Sequence, residues 1–580
     1  MAAAEQLTKE VAERFLARWP EESGSITRLF LDPDDPDPSH PLARFTTVDE
    51  DAAAVLAGYP CGTLTLDGLT SLSDAAAEAL ARFRGPLRLN GLTILSSAAA
   101  EALAHQEGFL SLGLTWLSDA VALSLSRHKW RLRLPRLTAL SDVAAEALAG
   151  HKGDLELSAL TTLSDAAAEA LSRHDAPLEL GVTTLSDGAA RALAHHGGRL
   201  HLNALTSLSD AAAQALAAHK GPLLLPSLTS LSDCCGHLAL AAKLISEKPV
   251  HRPSRVTSPS DGPSAALGGL SAMLAPGEQV LHLWRLTSLS DAAAEVLARH
   301  QGGLALFLTS LSDAAARALA EHQGALHLNA LTSLSDVAAE ALAEHQGDLQ
   351  LSRLMMLSDV AAEAFARHEG YLELHSLTTL SDAAAEALGR HQGGLRLGVT
   401  ALTDHAAGAL AELKGPLTLP QLTSLSEGPG HIRLAEKLAS QGFVHLPHLT
   451  TLSDGPAGAL AGAAREVWLY LNSLSDTVAQ SLARLKGELH LGPASLSDAA
   501  AEALSRHEGN LVLGLTALSD TAARALVHHR GPLFLHGLTE LSDAAAEALT
   551  HRNGGLFINV DKLPESAADI LRPHVSREGD

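Results

Sequence analysis

Aromatic residues are scarce: 10 Phe, 5 Trp and 3 Tyr make up 3% of the 580-residue chain. So few rings disfavour a platform that stacks the bases of single-stranded nucleic acid. Cysteine is scarcer still. Cys61 and the adjacent pair Cys234 and Cys235 cannot build a disulfide framework, and a reducing compartment fits them best. Positive charge is in deficit: 42 Lys and Arg against 66 Asp and Glu give a net charge of −24. Phosphate backbones and anionic membranes are poor partners for such a surface. No uninterrupted apolar run approaches the ~18 residues of a membrane span. The opening stretch MAAAEQLTKEVAERFLARWP carries charges where a signal peptide needs an apolar core. These absences point to a cytoplasmic protein with no nucleic-acid and no membrane partner. The hydrophobic share of 46% is ample for a large core, and about 150 residues per domain would give roughly four domains.

A repeat overrides that domain count. The phrase LTSLSDAAAEALARH returns in variants along almost the whole chain. The acidic residue after its second serine serves as a register mark, at Asp74, Asp119, Asp142 and onward to Asp543. Ser97 and Glu427 hold the mark in two copies, and Asp51 and Glu565 mark degenerate end copies. This gives 23 units of mostly 22 or 23 residues. At about 4.8 Å per strand, 23 units would extend on the order of 110 Å.

Each unit opens with period-two leucines, as in Leu64-Thr65-Leu66, which predicts a short strand with both leucines inward. Helical spacing follows. Over Asp74 to Arg84, Ala76, Ala77 and Leu80 share one face and Glu78 lies outside. Ser73 or Asp74 is placed to cap the helix, and Gly85 to take a left-handed position after it. No unit can bury its face alone, so the units must stack. Short 22-residue units lose one residue after the strand and keep a glycine there, Gly113, Gly181, Gly398 or Gly514, which suits a tighter path, with Phe307 as the unexplained exception.

The stretch LHLNALTSL, present at 200–208 and again at 326–334, carries the pattern LxLxxLTxL. It resembles the leucine-rich repeats, in a 22–23-residue bacterial-type form. The resemblance covers roughly residues 45–572 and implies an α/β solenoid with a parallel concave sheet and short outer helices. The family usually has Asn or Cys five residues after the first strand leucine, where this chain has Leu69, Leu205 and Leu331. Thr70, Thr206 and Thr332 follow directly and offer a substitute for that hydrogen-bonded ladder. An all-α solenoid of leucine-rich variant type is the alternative fold.

A longer period lies above the repeat. KGPLLLPSLTSLSD at 220–233 matches KGPLTLPQLTSLSE at 414–427, an offset of 194. CCGHLALAAKL at 234–244 pairs with GPGHIRLAEKL at 428–438 in the same way. The expected organisation is an N-terminal cap at 1–46, whose helix is LTKEVAERFLA at 7–17, and a first repeat block at 47–233. Irregular long repeats follow at 234–290, with a Pro/Ser-rich stretch from His251 to Ser264. A second block spans 291–427, irregular repeats 428–475, C-terminal repeats 476–572 and a loose tail 573–580. The 234–290 segment either bends the solenoid or separates two bodies.

Two columns and a cysteine pair invite chemistry. Histidines recur nine residues after the mark, among them His128, His151, His174, His196, His219, His322, His345, His368 and His391. They suggest a metal or pH ladder. Phe83, Leu413 and Leu485 in the same column favour a packed helix end instead. The Ser-Asp column invites a hydrolase or calcium reading, but a triad needs three unlike residues in one cleft, and capping accounts for both residues. Cys234 and Cys235 correspond to Gly428 and Pro429 in the second block, which argues against a redox pair. There is no GxxxxGK[ST], CxxC or HExxH. No catalytic residue, metal site or cofactor is assigned, and the chain reads as a non-enzyme.

What remains is the outward strand position between the two leucines. It holds Arg88, Ser111, Arg133, Glu156, Glu179, His201 and Leu224 in the first block. The second block has His282, Ala305, His327, Gln350, Glu373, Arg396 and Thr418 there. Near the C-terminus the column is read as Tyr470, Val512, Phe534 and Phe557, with Trp468 nearby. The expectation is a non-catalytic scaffold that binds protein partners through Arg88, Arg133, Glu156, Glu179, His201, His282, His327, Glu373 and Arg396, and through the apolar strip Tyr470, Val512, Phe534 and Phe557. Self-association through that strip, as a structural spacer, is the alternative.

Overall fold

Alanine and leucine at helical spacing, after a serine that stops the preceding turn, produce helices of seven or eight residues. In the computed structural model of the chain, Asp74–Leu80 is typical. Its first turn is capped by Ser73, whose Oγ accepts from the Ala76 N–H at 3.2 Å. The helix is shorter than its sequence pattern predicts. The Phe83 N–H turns back to the Leu80 carbonyl at 3.0 Å, a tight final turn that drives residue 83 inward. Ala76, Ala77, Ala79 and Leu80 are buried. Helices this short are not stable alone.

The structure describes residues 6–17, 42, 44–59, 62–246, 280–492, 496–552 and 554–575. Cys61, the stretch His251 to Ser264, most of 18–43 and residues 576–580 lie outside them. The chain forms two units, Met1–His300 and Gln301–Asp580. In the first, eight short strands from Leu64–Thr65 to Leu223–Leu224 form one parallel sheet in chain order. Ahead of it, Gln6–Leu7 pairs in parallel with Thr47–Val48. The helix Lys9–Ala17 buries Ala12 and Phe15 in the register that a repeat helix would use. In the second unit, six strands from Gly303–Leu306 to Leu417–Thr418 pair in parallel. A further six-stranded parallel sheet runs from Phe443–Leu446 to Leu556–Phe557. Parallel pairing in both units excludes the all-helical alternative.

The core is a stack of leucine and alanine. In one repeat Leu87, Leu89, Leu92 and Leu103 are all fully buried, each worth roughly 1.5–3 kcal/mol over exposure. The two irregular segments are alike: the helices Cys235–Ser246 and Pro429–Ser440 have equal length and the same 194-residue offset.

Glycine in the turn after the helix serves a different purpose from the one its position predicts. Among the described glycines only Gly62, Gly108 and Gly442 have positive φ, so Gly85 and most of its equivalents need no left-handed backbone. They need space. A Cβ at Gly347 would lie 2.4 Å from the Gly324 carbonyl oxygen of the preceding repeat. The glycine of the shortened units is also steric: a Cβ at Gly398 would lie 1.6 Å from the His375 oxygen. Stacking at strand spacing brings these backbones together. Gly347→Ala should therefore lower stability by about 1–3 kcal/mol through overpacking. Gly458→Ala, inside the helix Asp454–Ala463 with open space around it, should raise it by about 0.5–1 kcal/mol. Urea denaturation of both variants checks the contrast.

Candidate functional site

The outward strand positions line up because parallel register is kept from strand to strand. Arg88, Ser111, Arg133, Glu156, Glu179, His201 and Leu224 are successive lateral partners in the first unit. Ala305, His327, Gln350, Glu373, Arg396 and Thr418 form the equivalent row in the second.

In the first row the charges satisfy one another. Glu156, buried at 5% exposure, accepts a hydrogen bond from Arg131 Nη2 and forms an ion pair with Arg133 Nε, at 2.5 Å each. Arg88 pairs with Asp67 at 3.1 Å. Glu179 accepts from Asn203 Nδ2 and faces His201 Nδ1 at 3.6 Å. Burial would raise the Glu179 carboxyl, but His201, Asn203 and Arg131 outweigh it and hold it below the usual carboxylate range. Ser111 Oγ donates to Asn90 Oδ1 at 2.6 Å. Sequence reasoning missed Arg131, Asp67, Asn90 and Asn203, which stand just outside the strand pattern. In the second row His327, Gln350 and Glu373 are buried, and Ser352 Oγ donates to Glu373 at 3.3 Å. His282 is exposed in its strand, stacked on Trp284 at 4.4 Å.

The C-terminal row requires a correction. Register places His445, Trp468, His490, Val512, Phe534 and Phe557 side by side. Tyr470 does not belong to it. The strand is Glu466–Leu469, so Trp468 holds the outward position and Tyr470 follows it into the turn, half-exposed. The run Val-Trp-Leu-Tyr-Leu fits the pattern in two registers two residues apart, and the shortened unit takes the earlier one. His445 and His490, left out of the sequence reading, occupy the same row. Phe534 and Phe557 stack at 4.4 Å with planes 10° apart.

The Ser-Asp column links neighbouring repeats. Serine is the cap, and its hydroxyl hydrogen goes to the acidic mark of the preceding unit: Ser141 to Asp119 at 2.6 Å, Ser335 to Asp313 at 2.5 Å, Ser519 to Asp498 at 2.6 Å. Where serine no longer caps, the acid does so directly. Asp404 Oδ1 accepts from the Gly430 N–H at 2.8 Å, and Glu427 from the Gly455 N–H at 3.0 Å. Threonine forms part of a ladder: Thr70 Oγ1 donates to the Thr46 carbonyl at 3.3 Å and Thr229 Oγ1 to the Thr206 carbonyl at 2.9 Å, while Thr206 itself serves as the acceptor. Thr70 N–H donates to the Thr46 carbonyl at 2.9 Å, and Thr229 to Thr206 at 2.9 Å.

The histidine column is buried. His128, His151, His174, His196 and His219 stack with centroids 6.0–6.1 Å apart and planes within 10°. His322 to His391 stack at 5.9–6.3 Å, wider than the strand spacing. Parallel planes aim the ring nitrogens at backbone, not at a common ion. His391 Nδ1 faces the Phe365 carbonyl and Nε2 the Gly370 carbonyl, each at 3.1 Å. Gln106 and Arg552 reach equivalent carbonyls from the same column position, Gly85 at 2.6 Å and Leu526 at 3.1 Å. Gln106, His391 and Arg552 thus brace the turn below, whereas both ring nitrogens of His128, His151, His174, His196, His219, His345 and His368 are buried without a hydrogen bond, and those rings are held by stacking. Phe83, Leu413 and Leu485 fill the column position apolarly and are equally buried.

Burial lowers the pKa of His128, His151, His174, His196, His219, His345, His368, His391, His507 and His529. His151 falls to about 4 through burial, then through its neighbours His128 and His174; His368 falls to about 4 for the same reasons. A folded-state value below the ordinary 6.5 means that the unfolded chain binds the proton first. The neutral ring's contribution is complete above pH 6.5 and is lost as the pH falls towards 4, on the order of 3 kcal/mol for one such ring. The urea midpoint should therefore drop between pH 6.5 and 4. His151→Gln, which borrows the Gln106 solution, should flatten that drop; an unchanged slope would contradict the assignment.

No known protein family matches the sequence, and no curated protein does. Among solved structures, the chain is similar to a leucine-rich-repeat protein of Leptospira interrogans. The two share 17% identity over 80% of this chain and 93% of that one, with a TM-score of 0.28. It is also similar to an internalin of Listeria monocytogenes, with 13% identity over 51% of this chain and 80% of that one, and a TM-score of 0.30. No helix among the described residues is long and apolar enough to cross a membrane. In each unit the leucine register, the parallel ladder and the short capped helices make an α/β leucine-rich-repeat-like scaffold.

Proposed function

We propose that the chain is a non-catalytic scaffold that binds other proteins through the outward faces of its sheets, anchored by Val512, Phe534 and Phe557. The supporting observation is the Phe534–Phe557 stack on the outward row of a rigid sheet in a chain where rings are 3% of residues. Preorganised aromatic pairs are the usual anchors of protein interfaces, because they bury much area at little entropic cost. The polar rows serve as complementary surface around such an anchor. Glu156 and Glu373 are buried, so they hold neighbours in place, while Arg88, Arg133, Glu179, His201 and Arg396 keep partial exposure for a partner.

Catalysis is disfavoured on positive grounds. The serines and aspartates that could supply a nucleophile are engaged in helix capping and inter-repeat hydrogen bonds, and the column histidines that could supply a base are stacked out of reach of solvent. The same aromatic strip could hold a second copy of the chain, which would make a self-associating spacer. Affinity purification from the native host with mass spectrometry, paired with sedimentation, separates the two. A Phe534→Ser/Phe557→Ser variant should lose most of the partner recovered by the unaltered chain while keeping its melting temperature within a few degrees. Undiminished recovery contradicts the site; loss of oligomers without any partner favours the spacer.

A further inference from the structure

On the C-terminal sheet, two carboxylates face each other with no cation to separate them. Glu466 and Glu488 are direct lateral partners on adjacent parallel strands, and like charges so placed destabilise a sheet. Neither pairs with Lys or Arg among the described residues. Glu466 Oε1 accepts from Trp468 Nε1 at 2.6 Å, and Glu488 Oε1 lies 2.5 Å from His490 Nε2. Two residues further along the same strands, Trp468 stacks on His490 at 4.1 Å. The indole thus positions one carboxylate by hydrogen bonding and the imidazole by stacking. One donor atom from each of Glu466, Glu488 and His490 lies within 4.8 Å of the others, and all three residues are half-buried.

We propose that Glu466, Glu488 and His490 bind a divalent transition-metal ion, with zinc the best fit. Ligands about 2.1 Å from a tetrahedral ion sit roughly 3.4 Å apart, so side-chain torsions suffice to close the present spacing. Two carboxylates match the ion's charge and end their mutual repulsion. The imidazole favours zinc, nickel or copper over magnesium or calcium. The Nε2 proton now shared with Glu488 moves to Nδ1 or to solvent, which frees the Nε2 lone pair for the metal. Partial exposure leaves a fourth position to water or to a partner's donor. Trp468 is a positioning residue, touching two ligands and not the ion. The site is distinct from the buried histidine column, whose nitrogens do not converge.

The test is calorimetric titration of the full, chelator-stripped chain with zinc chloride in a non-coordinating buffer. The expected result is about one equivalent bound, with affinity at least tenfold lower in both Glu488→Gln and His490→Ala. Glu466→Gln removes a charge without removing bulk. It should weaken zinc binding similarly while raising the metal-free melting temperature, a readout that a purely structural role for the carboxylate would reverse. Absence of saturable binding overturns the proposal. So does binding that survives Glu466→Gln and Glu488→Gln, which would place the metal elsewhere.

Discussion

In most of the short helices the serine that caps the first turn is held by the acidic residue of the unit before it. Ser164 Oγ accepts from the Ala167 N–H at 3.0 Å and donates its own hydrogen to Asp142. A helix of seven residues leaves most of its backbone donors at the ends, so this relay matters more than a cap does on a long helix. It also makes each repeat incomplete without its neighbour, in hydrogen bonding as well as in buried leucine. Where Ser97 replaces the acid the relay lapses, and Ser118 caps Val121 alone at 3.3 Å. Where serine gives up the cap, as ahead of the helix Pro429–Ser440, Asp404 reaches the backbone directly.

Close stacking explains the other two columns. Bringing turn upon turn excludes a Cβ at Gly324, Gly347, Gly370 and Gly393. It leaves a narrow slot beside each glycine, with carbonyl oxygens on its floor. A flat side chain with an in-plane donor fits that slot, which is why histidine dominates and why Gln106 and Arg552 can replace it. His391 faces two carbonyls there, but most of the stacked rings make no hydrogen bond at all. The column therefore trades full hydrogen bonding for packing, and becomes acid-sensitive as a consequence. His237 and His431 are a separate solution in the long repeats. Each accepts a serine N–H on Nδ1, at 3.0 and 3.1 Å, and so carries its proton on Nε2 facing a carbonyl.

Much of this was legible in the sequence, because a scaffold that repeats 22 or 23 residues states its constraints many times over. The inward leucines, the serine cap, the threonine ladder and the lateral rows all follow from spacing. What spacing hid was anything that depends on the neighbouring unit. Asp74 looked like a second candidate cap, although its acceptor role belongs to Ser96. Gly85 looked like a left-handed helix stop, although the exclusion comes from the Phe83 ring and from the Gly62 carbonyl of the turn below. Tyr470 was misplaced because Val467-Trp468-Leu469 and Leu469-Tyr470-Leu471 carry the same pattern, and only pairing with Glu488–Leu491 decides between them. The cluster Glu466, Glu488 and His490 was invisible for the same reason: its members are 22 and 2 residues apart, and only the register brings them together.

The account rests on each unit closing the helix of the next, and hydrogen exchange at single amides reads that coupling most directly. Asp336 accepts the hydroxyl of Ser358, which caps the Ala361 N–H at 3.0 Å. In Asp336→Ala the Ala361 amide and the first turn of Asp359–Phe365 should exchange severalfold faster, in keeping with a weakened cap worth about 1 kcal/mol. The helix Asp404–Ala411, three units on, should be unchanged. Exchange at Ala361 indistinguishable from that of the unaltered chain would contradict the account.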